Sequence, residues 1–169
     1  MATLVVYYSK TGNTKAVAAS IARATGGELE ELIERGVNRA GVLGWLRSGR
    51  DGMRRRASTI ESPKRDVKDY DTVFVGSPVW GWNLVPAVRS YLSSVDLAGK
   101  RLGFFCTMGS SGDRKTFDSM RQLAAGARVP DGLAVREAEL GDRSALNQRV
   151  QAWVKEIQAL GRAEESPGM

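Results

Sequence analysis

The feature that most constrains this chain is the run Thr3–Tyr8, in which apolar, β-branched and aromatic residues follow one another without polar alternation. Such a run predicts a strand buried on both faces, and strands of that kind belong to parallel sheets covered by helices. The pattern recurs at Asp71–Gly76, around Thr72-Val73-Phe74-Val75, and at Leu102–Thr107. Helical spacing fills the intervals. Val17, Ala18, Ile21 and Ala24 define a helix over Thr14–Thr25 that stops at Gly26-Gly27, and Val88, Tyr91 and Leu92 define one that starts near Pro86. Thr116–Ala125 and Ala145–Leu160 are further expected helices, the latter with Leu146, Val150, Trp153, Val154, Ile157 and Leu160 inward. Glu28–Glu34 and Leu133–Leu140 complete a set of five expected strands. Ser77-Pro78 is expected to end the third, because proline cannot donate to a central ladder.

Strands alternating with helices predict an α/β fold: a three-layer, doubly wound, five-stranded parallel sheet. At 169 residues one domain is expected, over residues 1–161, with 162–169 as a flexible polar tail. Composition removes several kinds of chemistry. There is one cysteine, Cys106, and no histidine, so an internal disulfide, a Ser-His-Asp triad and a cysteine cluster for metal all lack their parts. No metal site is expected, and difficult chemistry falls to an organic cofactor. Cys106 lies in the apolar run Phe104-Phe105-Cys106 and is expected to be a buried, inert thiol. Leu4–Tyr8 is too short for a membrane span or signal core, so a cytoplasmic protein is expected.

Ligands of doubly wound sheets bind beyond the carboxyl ends of the strands. Three loops stand there: Ser9–Asn13, Ser77–Asn83 and Thr107–Asp113. In the first, Ser9, Thr11 and Thr14 offer hydroxyls, Gly12 permits a tight turn, and the N–H groups of a starting helix favour an anion. The spacing excludes both a triphosphate-binding glycine-lysine loop and a three-glycine dinucleotide fingerprint. In the second, Trp80 and Trp82 flank Gly81, and a flat amphipathic ring would stack on either, unless one of them packs on the Pro86 helix. The third offers small polar groups and backbone N–H but no aromatic residue before Phe117.

Ser9-Lys10-Thr11-Gly12-Asn13-Thr14 resembles the phosphate motif of the flavodoxin family, (Ser/Thr)-x-Thr-Gly-x-Thr, and stands between a strand and a helix as that motif does. The resemblance extends to Gly76-Ser77-Pro78-Val79-Trp80-Gly81-Trp82 and to Phe104-Phe105-Cys106-Thr107-Met108-Gly109. It implies a short-chain flavodoxin-like fold with strand order 2-1-3-4-5, FMN as cofactor and electron transfer as function. The implied FMN-binding residues are Ser9, Lys10, Thr11, Gly12, Asn13, Thr14, Ser77, Pro78, Val79, Trp80, Gly81, Trp82, Thr107, Met108, Gly109, Gly112 and Asp113, with Trp80 as the ring contact.

The chain departs from acidic flavodoxins in its charge. Between Arg35 and Lys68 ten lysines and arginines face three carboxylates, which leaves the segment at +7 and the remainder at −1 of a total of +6. This basic insertion, 35–68, takes the place of a short connection and crossover helix. A helix is expected near Leu43–Arg56, its arginines either a solvated face or a docking surface for an acidic redox partner. Nucleic acid is not expected, since no recognition motif accompanies the charge. The insertion is one means of covering the outer flavin face; the other arrangement leaves that face open. Lys10, Arg114 and Lys115 beside the loops would ease full reduction of the cofactor. The enzyme alternative is an FMN-dependent NAD(P)H quinone or nitro-compound reductase, and the chain is expected to be a monomer or a homodimer.

Overall fold

The computed structural model describes residues 1–36, 43, 44, 46, 48, 50 and 57–160. Five parallel strands form its centre: β1 (Thr3–Tyr7), β2 (Glu28–Glu31), β3 (Thr72–Trp80), β5 (Arg101–Met108) and β6 (Leu133–Arg136). They lie in the order β2-β1-β3-β5-β6, and a two-residue strand, β4 (Asn83–Leu84), folds back antiparallel on the end of β3. Leaving out that hairpin strand, this is the order 2-1-3-4-5. The helices are α1 (Asn13–Thr25), α2 (Pro86–Ser94), α3 (Asp113–Leu123) and α4 (Arg143–Leu160).

Side chains alternate across each strand, so the apolar runs feed two cores. On one face Val5, Tyr7, Phe74 and Phe105 meet Val17 and Ile21 of α1 and Val150, Trp153 and Ile157 of α4. On the other Leu4, Val6, Val73, Val75, Phe104 and Cys106 meet Val88 and Tyr91 of α2 and Phe117 and Met120 of α3. Each fully buried side chain of this size stabilises the fold by about 1.5–3 kcal/mol. Packing is tight enough to dictate glycine at Gly76, where a Cβ would fall 2.1 Å from the Phe105 ring.

The helix expected over Thr116–Ala125 runs from Asp113 to Leu123, and four further points differ from the sequence expectation. First, β3 does not stop at Ser77-Pro78 but runs to Trp80, with Pro78 opposite Thr107 of β5. The last ladder bond between β1 and β3 is Tyr8 N–H to Gly76 C=O, 3.3 Å. Two residues further on, Pro78 turns its nitrogen toward that same side, where β1 has ended, so no partner is deprived of a donor. Second, β2 ends at Glu31, short of the expected Glu34. Residues 33–35 pair instead with the returning chain, through Arg35 N–H to Thr59 C=O and Glu61 N–H to Ile33 C=O, each 2.8 Å. Third, β6 ends at Arg136 rather than Leu140, because its partner β5 ends at Met108. The Glu139 carboxylate takes the Arg136 N–H at 2.6 Å and the chain enters a short 3-10 turn, Glu137–Gly141. Fourth, Leu160, expected inward on α4, is partly exposed.

Of the helix expected near Leu43–Arg56, residues Leu43, Gly44, Leu46, Ser48 and Arg50 have helical backbone. Trp45, Met53, Arg54, Arg55 and Arg56, like the tail 162–169, lie outside the described residues. No helix among the described residues is long and apolar enough to cross a membrane.

Candidate functional site

The carboxyl ends of β1, β3 and β5 open into one cleft of about 800 Å³, within the range of small-molecule sites, roughly 300–1,000 Å³. Loop one contributes Lys10, Thr11, Asn13 and Thr14; loop two Pro78, Val79, Trp80 and Gly81; loop three Thr107 and Gly109. Ten of the sequence-selected positions are thus brought together around one space.

Loop one is fixed on the start of α1 by Ser9. Gly12 caps α1 with φ 92, a left-handed conformation that favours glycine, and it supplies no side-chain cap. A Cβ there would meet nothing, so conformation rather than room dictates the glycine. The N–H groups of Gly12 and Lys15 converge on a single oxygen, Ser9 Oγ, at 3.1 and 3.2 Å. The first turn of α1 has no acidic residue, which keeps the positive end of the helix dipole unopposed. Thr14 is buried and its hydroxyl lies 2.7 Å from that of Thr107, tying loop one to the end of β5.

Loop two is a β-hairpin with Gly81-Trp82 at its apex. Trp80, half-buried, is held edge-on by Tyr8, ring centroids 5.5 Å apart, and carries the Lys10 ammonium 5.8 Å from its ring centre. Trp82 is 57% exposed and does not line the cleft. Its Cα lies 3.1 Å from where a Gly112 Cβ would stand, so the hairpin rests on the third loop.

The remaining selected positions frame the cleft without lining it. Ser9 serves the α1 backbone as described, while Ser77, fully buried, donates to Pro78 C=O at 2.8 Å and accepts from Val85 N–H at 3.0 Å. Met108 is buried, and Gly112, at φ 110, gives way to Val79 and Trp82. Asp113 opens α3, and its charge, after the larger effect of burial, helps push the Cys106 thiol up to about 12. Sequence reasoning missed Leu46, Ser48 and Arg50 of the insertion and Glu137 after β6, all of which line the cleft. No local motif marks any of them.

The flavodoxin family profile matches residues 2–157, nearly the whole of the folded domain. The chain belongs to the flavodoxin family. Among solved structures this flavodoxin is similar to a candidate flavoprotein from Bacteroides uniformis, 26% identical over 91% of this chain and 97% of that one, TM-score 0.75. A flavoprotein from Lactobacillus acidophilus, solved in complex with FMN, is 24% identical over 85% of this chain and 98% of that one, TM-score 0.68. A flavodoxin from Fusobacterium nucleatum, bound to flavin mononucleotide, is 12% identical over 94% and 98%, TM-score 0.61, and shares the fold. Among curated proteins no sequence matches this flavodoxin significantly.

Proposed function

We infer that the cleft holds one FMN and that the protein transfers electrons through it. The observation that carries this reading is the convergence of the three loops on one cleft, lined both by Thr11, Asn13 and Thr14 at the start of α1, whose first turn has no acidic residue, and by Trp80. The residues fit the group. Thr11, Asn13 and Thr14, with the first N–H groups of α1, would hold its phosphate. Trp80, oriented by Tyr8, would take its ring, while Thr107 and the backbone of Gly109 would meet its polar edge. Ser9, Gly12, Ser77 and Gly112 act as positioning residues that shape these loops. When bound, FMN supplies a centre that takes up and releases electrons singly or in pairs.

As a carrier the protein docks another redox protein at the cleft mouth. Lys10, which lines the cleft, and Arg114 and Lys115 at the start of α3 are exposed, so the complementary partner face is acidic. The second reading, an NAD(P)H-dependent quinone or nitro-compound reductase, is favoured by Leu46 and Arg50, which bring the insertion to the cleft wall. Anaerobic mixing of the FMN-loaded protein with NADPH decides between them. A carrier keeps its visible spectrum until a reductase is added; bleaching by NADPH alone identifies the enzyme and rejects the carrier.

A further inference from the structure

Trp80 is the one aromatic residue among the described residues that line the cleft, and the sheet does not fix the plane of its ring. The pairing of β3 with β1 ends at Gly76 and that with β5 at Pro78, so at Trp80 the ladder partner is Asn83 across the hairpin. What meets the ring is Tyr8, nearly perpendicular to it at 88° with centroids 5.5 Å apart, an arrangement that aromatic pairs prefer. Tyr8 is buried and does not line the cleft. Its hydroxyl donates to Glu34 Oε2 at 3.4 Å. That tether holds the far end of the side chain, so the ring cannot swing away from Trp80 about its Cα–Cβ bond.

Glu34 is in turn placed by backbone on both sides. It stands opposite Ile60 in an antiparallel bridge, and the bonds Arg35 N–H to Thr59 C=O and Glu61 N–H to Ile33 C=O bracket that pair at 2.8 Å each. Leu32 N–H to Tyr7 C=O, also 2.8 Å, keeps the same stretch beside the end of β1. Ser58 N–H donates to Ser90 Oγ of α2 at 2.9 Å, and Ile60 packs on the same core as Tyr8 and Trp80. A carboxylate at the base of the insertion, outside the cleft lining, is thereby joined through one tyrosine to the ring inside it.

We propose that Glu34 is a positioning residue for the flavin ring, acting through the Tyr8 hydroxyl on the plane of Trp80. This rests on the FMN reading above. Glu34 touches no cofactor atom; it fixes Tyr8, and Tyr8 fixes the surface on which the ring lies.

The test uses the full chain loaded with FMN and follows flavin emission, together with FMN and riboflavin affinity and the urea midpoint. An indole in contact with a flavin quenches its emission by lending the excited ring an electron that then returns, so nothing is consumed and the emission reports the stacking. Trp80→Leu raises the emission several-fold and identifies the quenching ring. Tyr8→Phe, which keeps the ring and loses the tether, and Glu34→Ala each raise it by a smaller, equal factor. Combining the two raises it no further, because both remove the same contact. Glu34→Gln, whose amide oxygen still accepts from the phenol, keeps the emission low. The ratio of FMN to riboflavin affinity is the same in the Tyr8 and Glu34 variants, since loop one is untouched. A lowered urea midpoint with unchanged emission in Tyr8→Phe and Glu34→Ala assigns both residues to the core alone and overturns the proposal. Additive effects of the two changes also overturn it. FMN bound with unaltered emission in Trp80→Leu rejects this inference alone, whereas failure of the unaltered chain to take up FMN rejects the flavin reading and this inference with it.

Discussion

Trp82 stands at φ 58 next to Gly81 at φ 54, in a two-residue turn closing the pair Trp80–Asn83. Turns of that kind ask for glycine or asparagine, and a bulky residue with positive φ carries strain on the order of 1–3 kcal/mol. Trp82→Gly relieves the strain at the cost of extra freedom in the unfolded chain. It is therefore expected to stabilise the protein by about 1 kcal/mol, read as a raised midpoint in urea. A loss of stability would mean that the exposed indole contributes packing that outweighs its backbone strain. At this scale the sequence reveals residue types but not the direction of side chains. Ser9 was selected for its hydroxyl and Ser77 through the family resemblance, and both hydroxyls serve the backbone instead. Cys106 was readable because it ends the apolar run Phe104-Phe105-Cys106, and its burial holds the thiol in the unreactive protonated form.

Between elements, the hydroxyl pair Thr14–Thr107 joins the start of α1 to the end of β5 across a buried gap of 2.7 Å. Replacing either threonine by valine leaves the other hydroxyl buried without this partner, costing about 1–3 kcal/mol. Replacing both removes the mismatch, so the double variant should lose clearly less than the two single losses combined, as a denaturation cycle would measure. Strict additivity would show that the two hydroxyls do not depend on each other. The elements themselves were legible, since buried strands and amphipathic helices declare themselves by period. Their ends were not, because an end is set by the neighbouring strand. Pro78 is tolerated only because β1 has already stopped, and β6 ends where β5 does.

In the whole molecule, the placement of the basic insertion is what sequence could not supply. The three cleft loops were found because each directly follows a strong strand, a position that the fold assigns to ligands. Leu46, Ser48 and Arg50 follow no strand and carry no motif, yet they line the cleft. Of the segment's arginines that are described, Arg50 lines the cleft, while the rest of the chain is close to neutral. The central claim is that this cleft recognises FMN through loop one. Its most direct test is titration of FMN and of riboflavin into the flavin-free chain, followed by quenching of flavin fluorescence. Recognition of the phosphate predicts one FMN per chain, riboflavin weaker by at least about tenfold, and a narrower gap in Thr11→Ala with riboflavin affinity retained. Equal affinities for the two flavins, or no binding of either, would contradict it.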